Sequence, residues 1–150
     1  MLSVIERAEL RDQLMRHEGR NLKPYADTVG KLTIGYGRNL TDIGISEAEA
    51  QVLLDHDIET AESELGSVFP WTTALDPIRL RVLIDMAFNM GIAGLRTFKR
   101  FLAAVETGDY QTAAADMLES RWARQVGKRA QTLAWMMRDG PTVPDGTLKA

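Results

Sequence analysis

Glu18-Gly19-Arg20-Asn21-Leu22-Lys23-Pro24-Tyr25-Ala26-Asp27-Thr28-Val29-Gly30-Lys31-Leu32-Thr33-Ile34-Gly35-Tyr36-Gly37 is the stretch around which the chain is organised. It holds two carboxylates, Glu18 and Asp27, and one hydroxyl, Thr33. Glu18 is predicted to end a helix, because Gly19 follows it as a good C′ residue. Residues 25 to 37 read as a small hairpin. Leu32, Ile34 and Tyr36 alternate with Thr33 and Gly35, the period of a half-buried strand. Thr33 is then expected to face away from the Leu32/Ile34/Tyr36 side. Asp27 lies just before the turn, and Gly35 and Gly37 permit close backbone approach or a bulge.

Those three groups have a chemistry in common. A helix C-terminus disfavours an ionised carboxylate by about 0.3–1 kcal/mol. Burial in a cleft would act in the same direction and suit Glu18 as a general acid that must still hold its proton. Asp27 would orient or deprotonate a water, or stabilise oxocarbenium charge. Two carboxylates flanking an acetal are the minimal apparatus for glycoside hydrolysis. Each residue also has an ordinary reading when taken singly: an exposed helix-end Glu, a turn Asp before Thr28-Val29-Gly30, and a Thr in a strand.

Working outward, Ser3-Val4-Ile5-Glu6 reads as a capping box that opens the helix ending at Glu18. Ser46-Glu47-Ala48-Glu49 is a second capping box, and its helix is predicted to end near Gly66. Asp76-Pro77 places an N-cap before Pro at N1. The helix that follows, through Leu80, Val82, Leu83, Ile84, Met86, Ala87, Phe88 and Met90, is apolar on most sides and should lie at the centre of a larger lobe. Leu95 to Val105, Asp109 to Glu119 and Gln125 to Arg138 read as further helices, and residues 140–150 as a loose tail. Trp71, Trp122 and Trp135 are expected as core anchors, with Met86, Met90, Met136 and Met137 as core filler.

Composition narrows the field further. A chain of 150 residues predicts one domain of two lobes: a small lobe over about 19–45, a connecting helix over about 46–66, and a helical lobe over about 70–139 joined by the N-terminal helix. Cysteine is absent, which excludes disulfides and thiolate metal sites, and His17 and His56 are too few for a histidine-rich one. There is no phosphate loop, zinc spacing or serine elbow. Charge is uneven: residues 1–95 carry nine basic and fifteen acidic side chains, residues 96–150 nine and six. A polyanion would meet the C-terminal part first. The opening residues carry charge too early for a secretory signal, which predicts a chain kept in the cytoplasm until something releases it.

Helix-terminal Glu18-Gly19, then Tyr25-x-Asp27-x-x-Gly30, then Thr33-Ile34-Gly35-x-Gly37 resembles the catalytic signature of the bacteriophage (T-even type) lysozymes, the endolysin muramidase family. Arg121-Trp122 and Lys128-Arg129-Ala130 resemble its C-terminal motif, and the similarity spans roughly residues 4 to 139. The resemblance implies a mainly helical α+β fold with a small β-hairpin lobe and a larger helical lobe. It implies cleavage of the β-1,4 bond between N-acetylmuramic acid and N-acetylglucosamine in peptidoglycan, without metal or organic cofactor. It gives Thr33 the role of holding the attacking water, with inversion at the anomeric carbon. It places Arg129 beside Glu18 and in reach of substrate.

Asp85, Phe88 and Asn89 share one face of the central helix, and the resemblance makes that face a wall of the sugar groove. Asp85 stands where the family usually has a neutral amide. Asp116 is a further groove candidate. Arg38 and Asp57 stand where the family has a histidine–aspartate pair and are expected to form an ion pair.

The implied biology is host lysis by a monomer. It would wait in the host cytoplasm, reach the periplasmic wall through a separate holin-type pore, and use neither nucleic acid nor stable membrane insertion. Two other readings stay open: a non-catalytic peptidoglycan-binding or virion structural module, and membrane disruption by the basic segment around Trp122, Val126, Leu133 and Trp135.

Overall fold

The structure, a computed structural model, describes residues 1–142. The fold is α+β and mainly helical, with one small antiparallel sheet. The chain divides into two compact units, Met1–Val52 and the remainder from Leu53, and the division falls inside a helix.

The first unit begins with helix α1, Val4–Glu18. Its capping box is formed in both directions: Glu6 N–H donates to Ser3 Oγ, and Ser3 N–H donates to Glu6 Oε2. Gly19 ends it at a positive φ of 71°. Strands β1 (Asn21–Ala26), β2 (Leu32–Gly35) and β3 (Arg38–Asn39) follow and pair in that order. Tyr25 lies opposite Thr33, and Thr33 opposite Asn39. The β1–β2 register slips between Asn21 and Tyr25, where Pro24 has no N–H to give the ladder.

The expected burial of β2 is reversed. Thr33 is buried at 4% exposure, whereas Leu32 and Tyr36 are exposed. Alternation is present, but β2 is four residues long and its more buried row, Tyr25–Thr33–Asn39, is the polar one. Helix α2 runs Glu47–Val68, two residues past Gly66, and its capping box at Ser46 and Glu49 is also formed.

The second unit carries the core. After a 3₁₀ turn at Pro70–Ala74 comes α3, Pro77–Leu95, with Asp76 accepting from the amides of Ile78 and Arg79. Val82, Leu83 and Met86 on α3 are fully buried, as are Leu65, Met117 and Met137. Each such side chain is worth about 1.5–3 kcal/mol of transfer free energy. Gly91, at φ 74°, kinks α3 near its C-terminal end.

Two helix boundaries differ from expectation. The helix foreseen from Leu95 starts at Lys99 (α4, Lys99–Glu106), because Phe98 is non-helical at ψ 56°. The helix foreseen over Gln125–Arg138 is two: α6, Arg121–Val126, capped by Ser120, and α7, Lys128–Asp139, split at Gly127 with φ 59°. Between these, α5 spans Tyr110–Glu119 behind its Asp109 cap. Residues 140–142 form a 3₁₀ turn, so the expected loose tail starts ordered; the rest of it lies outside the described residues.

One side chain ties the second unit together. The Arg79 guanidinium donates to Met137 O at 2.7 Å, Arg138 O at 2.9 Å and Asp76 Oδ2 at 2.9 Å, and lies 3.5 Å over the Tyr110 ring. It satisfies orphan carbonyls at the end of α7 from the first turn of α3. Trp122 is 6% exposed and Leu133 4%, so both side chains belong to the core. Trp71 packs on the core partly buried. Among the described residues, no helix is long and apolar enough to cross a membrane.

Candidate active site and groove

In the first unit the turn after β1 is built on Asp27. Its Oδ1 accepts from Val29 N–H at 2.9 Å and Lys31 N–H at 2.8 Å. Its backbone N–H donates to Lys31 O at 2.9 Å, and Gly30, at φ 81°, closes the turn onto Asp27 O. Thr33 Oγ1 donates to that same Lys31 carbonyl at 3.1 Å. Asp27 and Thr33 are thus coupled through the backbone of one residue, Lys31. Among the described residues no hydrogen bond reaches Asp27 Oδ2, and the Thr33 hydroxyl keeps its lone pairs for a donor such as water. Asp27 therefore serves the turn with one oxygen, and the other is without a hydrogen bond among the described residues.

Glu18 is the last residue of α1 and is exposed. Gly37, at φ 82°, passes beneath it, and a Cβ there would lie 3.2 Å from Glu18 Oε2. A side chain at 37 would crowd the carboxylate and strain the backbone.

Within the first unit, Arg38 has Glu49 as its ion-pair partner. It grips Glu49 in a two-pronged pair, Nη2 to Oε1 at 2.7 Å and Nη1 to Oε2 at 3.0 Å. Glu49 is pulled down from the ordinary 4.5 to about 2, first by the Arg38 hydrogen bonds and then by Ser46. The reason is positional: Glu49 is the capping-box residue at the start of α2, so its carboxylate already points back toward the chain entering the helix.

In the second unit a groove of ≈ 790 Å³ has an apolar floor that includes Ile58, Ile84, Phe88 and Leu133, with Arg81, Asp85, Lys128 and Arg129 as its charged groups. Arg129, expected beside Glu18, has Asp85 as its ion-pair partner: Nε and Nη2 both engage Oδ1, at 2.8 and 2.7 Å. Phe88 is 45% exposed along this groove. Asn89, on the same helix face, is absent from the lining, and its Oδ1 accepts from the Trp122 indole at 2.8 Å.

Asp116 lies apart, in a depression of ≈ 320 Å³ with Phe98, Lys99 and Arg100. Arg100 reaches it at 3.1 Å, and among the described residues its buried Oδ2 has no hydrogen-bond partner. The structure thus brings Asp85, Phe88 and Arg129 into one groove and leaves Asn89 and Asp116 outside it. Of the other groove residues, Arg81 and Thr132 are not singled out by the sequence, while Lys128 is read there only as part of the C-terminal motif and Met136 only as core filler. Their signal was helical spacing: 81, 84, 85 and 88 on α3, and 128, 132 and 136 on α7.

A helix-end glutamate, a turn aspartate and a strand threonine in one small β unit, followed by a helical unit with a lined groove, define a class. The chain belongs to the phage lysozyme family, which it matches over residues 15–136. It is 27% identical to probable T4-type lysozyme 1 of Dictyostelium discoideum, over 89% of this chain and 95% of that one. It is 28% identical to an endolysin of Acyrthosiphon pisum secondary endosymbiont phage 1, over 77% of this chain and 80% of that one. It is also 29% identical to the pre-baseplate central spike protein Gp5 of enterobacteria phage T4, over 86% of this chain but only 27% of that one.

Proposed function

We propose that the chain is an endolysin-type glycosidase that hydrolyses the β-1,4 bond between N-acetylmuramic acid and N-acetylglucosamine. Glu18 protonates the leaving oxygen. Asp27 Oδ2 takes a proton from the water, and Thr33 Oγ1 positions that water, so attack is direct and the anomeric centre inverts. The observation that carries this reading is the coupling of Asp27 and Thr33 through Lys31, with one carboxylate oxygen pinned by two amides and the other left over. A fixed acceptor beside a fixed hydroxyl suits a water that must be held for in-line attack. Asp85, Phe88 and Arg129 would contact the glycan. Asn89 would act through Trp122, and Asp116 at a separate contact.

In this reading the protein works as a monomer on peptidoglycan, needs no cofactor, and lyses the host once a holin-type pore admits it from the cytoplasm to the wall. The small lobe, connecting helix and helical lobe would act as one lysozyme-like domain.

Release of soluble fragments from purified sacculi tests the mechanism. Wild type should clear the suspension and Glu18→Gln should not, while still sedimenting with the wall. Equal clearing by both would overturn the role of Glu18. One observation favours a second reading, a virion structural module without turnover: the similarity to the spike protein Gp5. Wall binding with no clearing by wild type would select it.

A further inference from the structure

The groove of the second unit has four charged groups, of which three are cations, Arg81, Lys128 and Arg129, and one is an acid, Asp85. The acid pairs with one cation through one of its two oxygens. Arg129 Nε and Nη2 converge on Asp85 Oδ1, and among the described residues no hydrogen bond reaches Oδ2. The two side chains are 40% and 39% exposed, so the pair faces the groove and its charge is felt there. It joins α3 to α7, and its partners are held from behind by the buried neighbours Met86 and Ala130. A neutral amide at position 85 would still accept a hydrogen bond from Arg129, but would leave the guanidinium uncancelled.

Resting on the reading of the chain as a peptidoglycan hydrolase, we propose that Asp85 is a specificity-determining residue for glycan charge. By cancelling Arg129 it lets the groove accept amino sugars that have lost their acetyl groups. Intact N-acetylated glycan is neutral at C2, whereas an N-deacetylated sugar carries an ammonium in mildly acidic buffer. A groove with three uncancelled cations repels the second. Removing one unit of positive charge lowers that repulsion, and Asp85 Oδ2 offers the ammonium an acceptor.

The test is sedimentation with purified sacculi, either intact or chemically N-deacetylated, at low salt in mildly acidic buffer. The full chain is used in a Glu18→Gln background so that turnover does not erase the binding. The readout is the ratio of affinities, deacetylated over intact. Asp85→Asn should lower the ratio by about two- to fivefold, the worth of one unit charge in a half-exposed groove. Arg129→Gln, which leaves Asp85 uncancelled, should raise it by a similar factor, and both shifts should shrink in high salt.

The opposite signs keep the test decisive even where one variant folds poorly. A ratio unmoved by both substitutions, or no binding to either wall, would overturn the proposal. Clearing of intact sacculi by the chain with native Glu18 is scored separately. Clearing with an unmoved ratio defeats the charge assignment alone; a moved ratio without clearing defeats the hydrolase reading alone.

Discussion

The two units hold their aspartates in opposite ways. Asp27 sits in a thin hairpin with almost no core beneath it, and two backbone amides fix it through one oxygen. Asp85 sits on a helix that fully buries Val82, Leu83 and Met86, and a guanidinium from another helix fixes it, again through one oxygen. The first arrangement is written within five consecutive residues. The second needs α3 and α7, forty-four positions apart, to pack correctly. A site made of local hydrogen bonds tolerates a small scaffold, whereas a site made of side chains from distant helices depends on a core. Substitutions should therefore separate chemistry from stability along the same division.

The largest effect is expected in the first unit. Glu18→Gln should lower turnover on sacculi by about 10²–10⁴-fold, the usual worth of a positioned general acid, with a thermal midpoint close to wild type because the side chain is exposed. A large loss of stability in that variant would break the comparison. In the second unit the order inverts. Leu83→Ala should destabilise by about 2–5 kcal/mol in a denaturant titration, since its side chain is fully buried. Arg79→Met should follow at about 1.5–3 kcal/mol, because two carbonyls at the end of α7 and the Asp76 carboxylate lose their donor.

The smallest effect concerns Arg38 and Glu49, and it depends on pH. Glu49 ionises at about 2 in the folded unit against the ordinary 4.5. A depressed carboxylate adds stability that is present above 4.5 and is lost as pH falls from there through about 2. Acid unfolding followed by circular dichroism should show that loss, and Arg38→Gln should flatten it. Because the pair is exposed, salt should weaken it too.

Legibility in the sequence follows the same line. Both capping boxes, the Asp76 cap, the Gly19 stop and the turn at Asp27 were readable because each is satisfied within a few residues. Gly127 was visible as a letter, but its splitting of α6 from α7 was not foreseen. Arg38 was matched to Asp57 by resemblance, whereas the capping-box carboxylate of Glu49 was nearer to hand. The burial of Thr33 runs against its hydrophobic neighbours, because the Tyr25–Thr33–Asn39 row is the more buried one. Asp85 and Arg129 were each picked out, yet their pairing was not, since only packing of distant helices creates it.

The central claim, that Asp27 and Thr33 hold a water for direct attack while Glu18 gives its proton, is tested most directly by the anomer first formed. Proton NMR of the new reducing end, read before mutarotation, should show the α-configuration from a β-1,4 bond. Initial appearance of the β-configuration would mean a covalent intermediate and would contradict this account of the site.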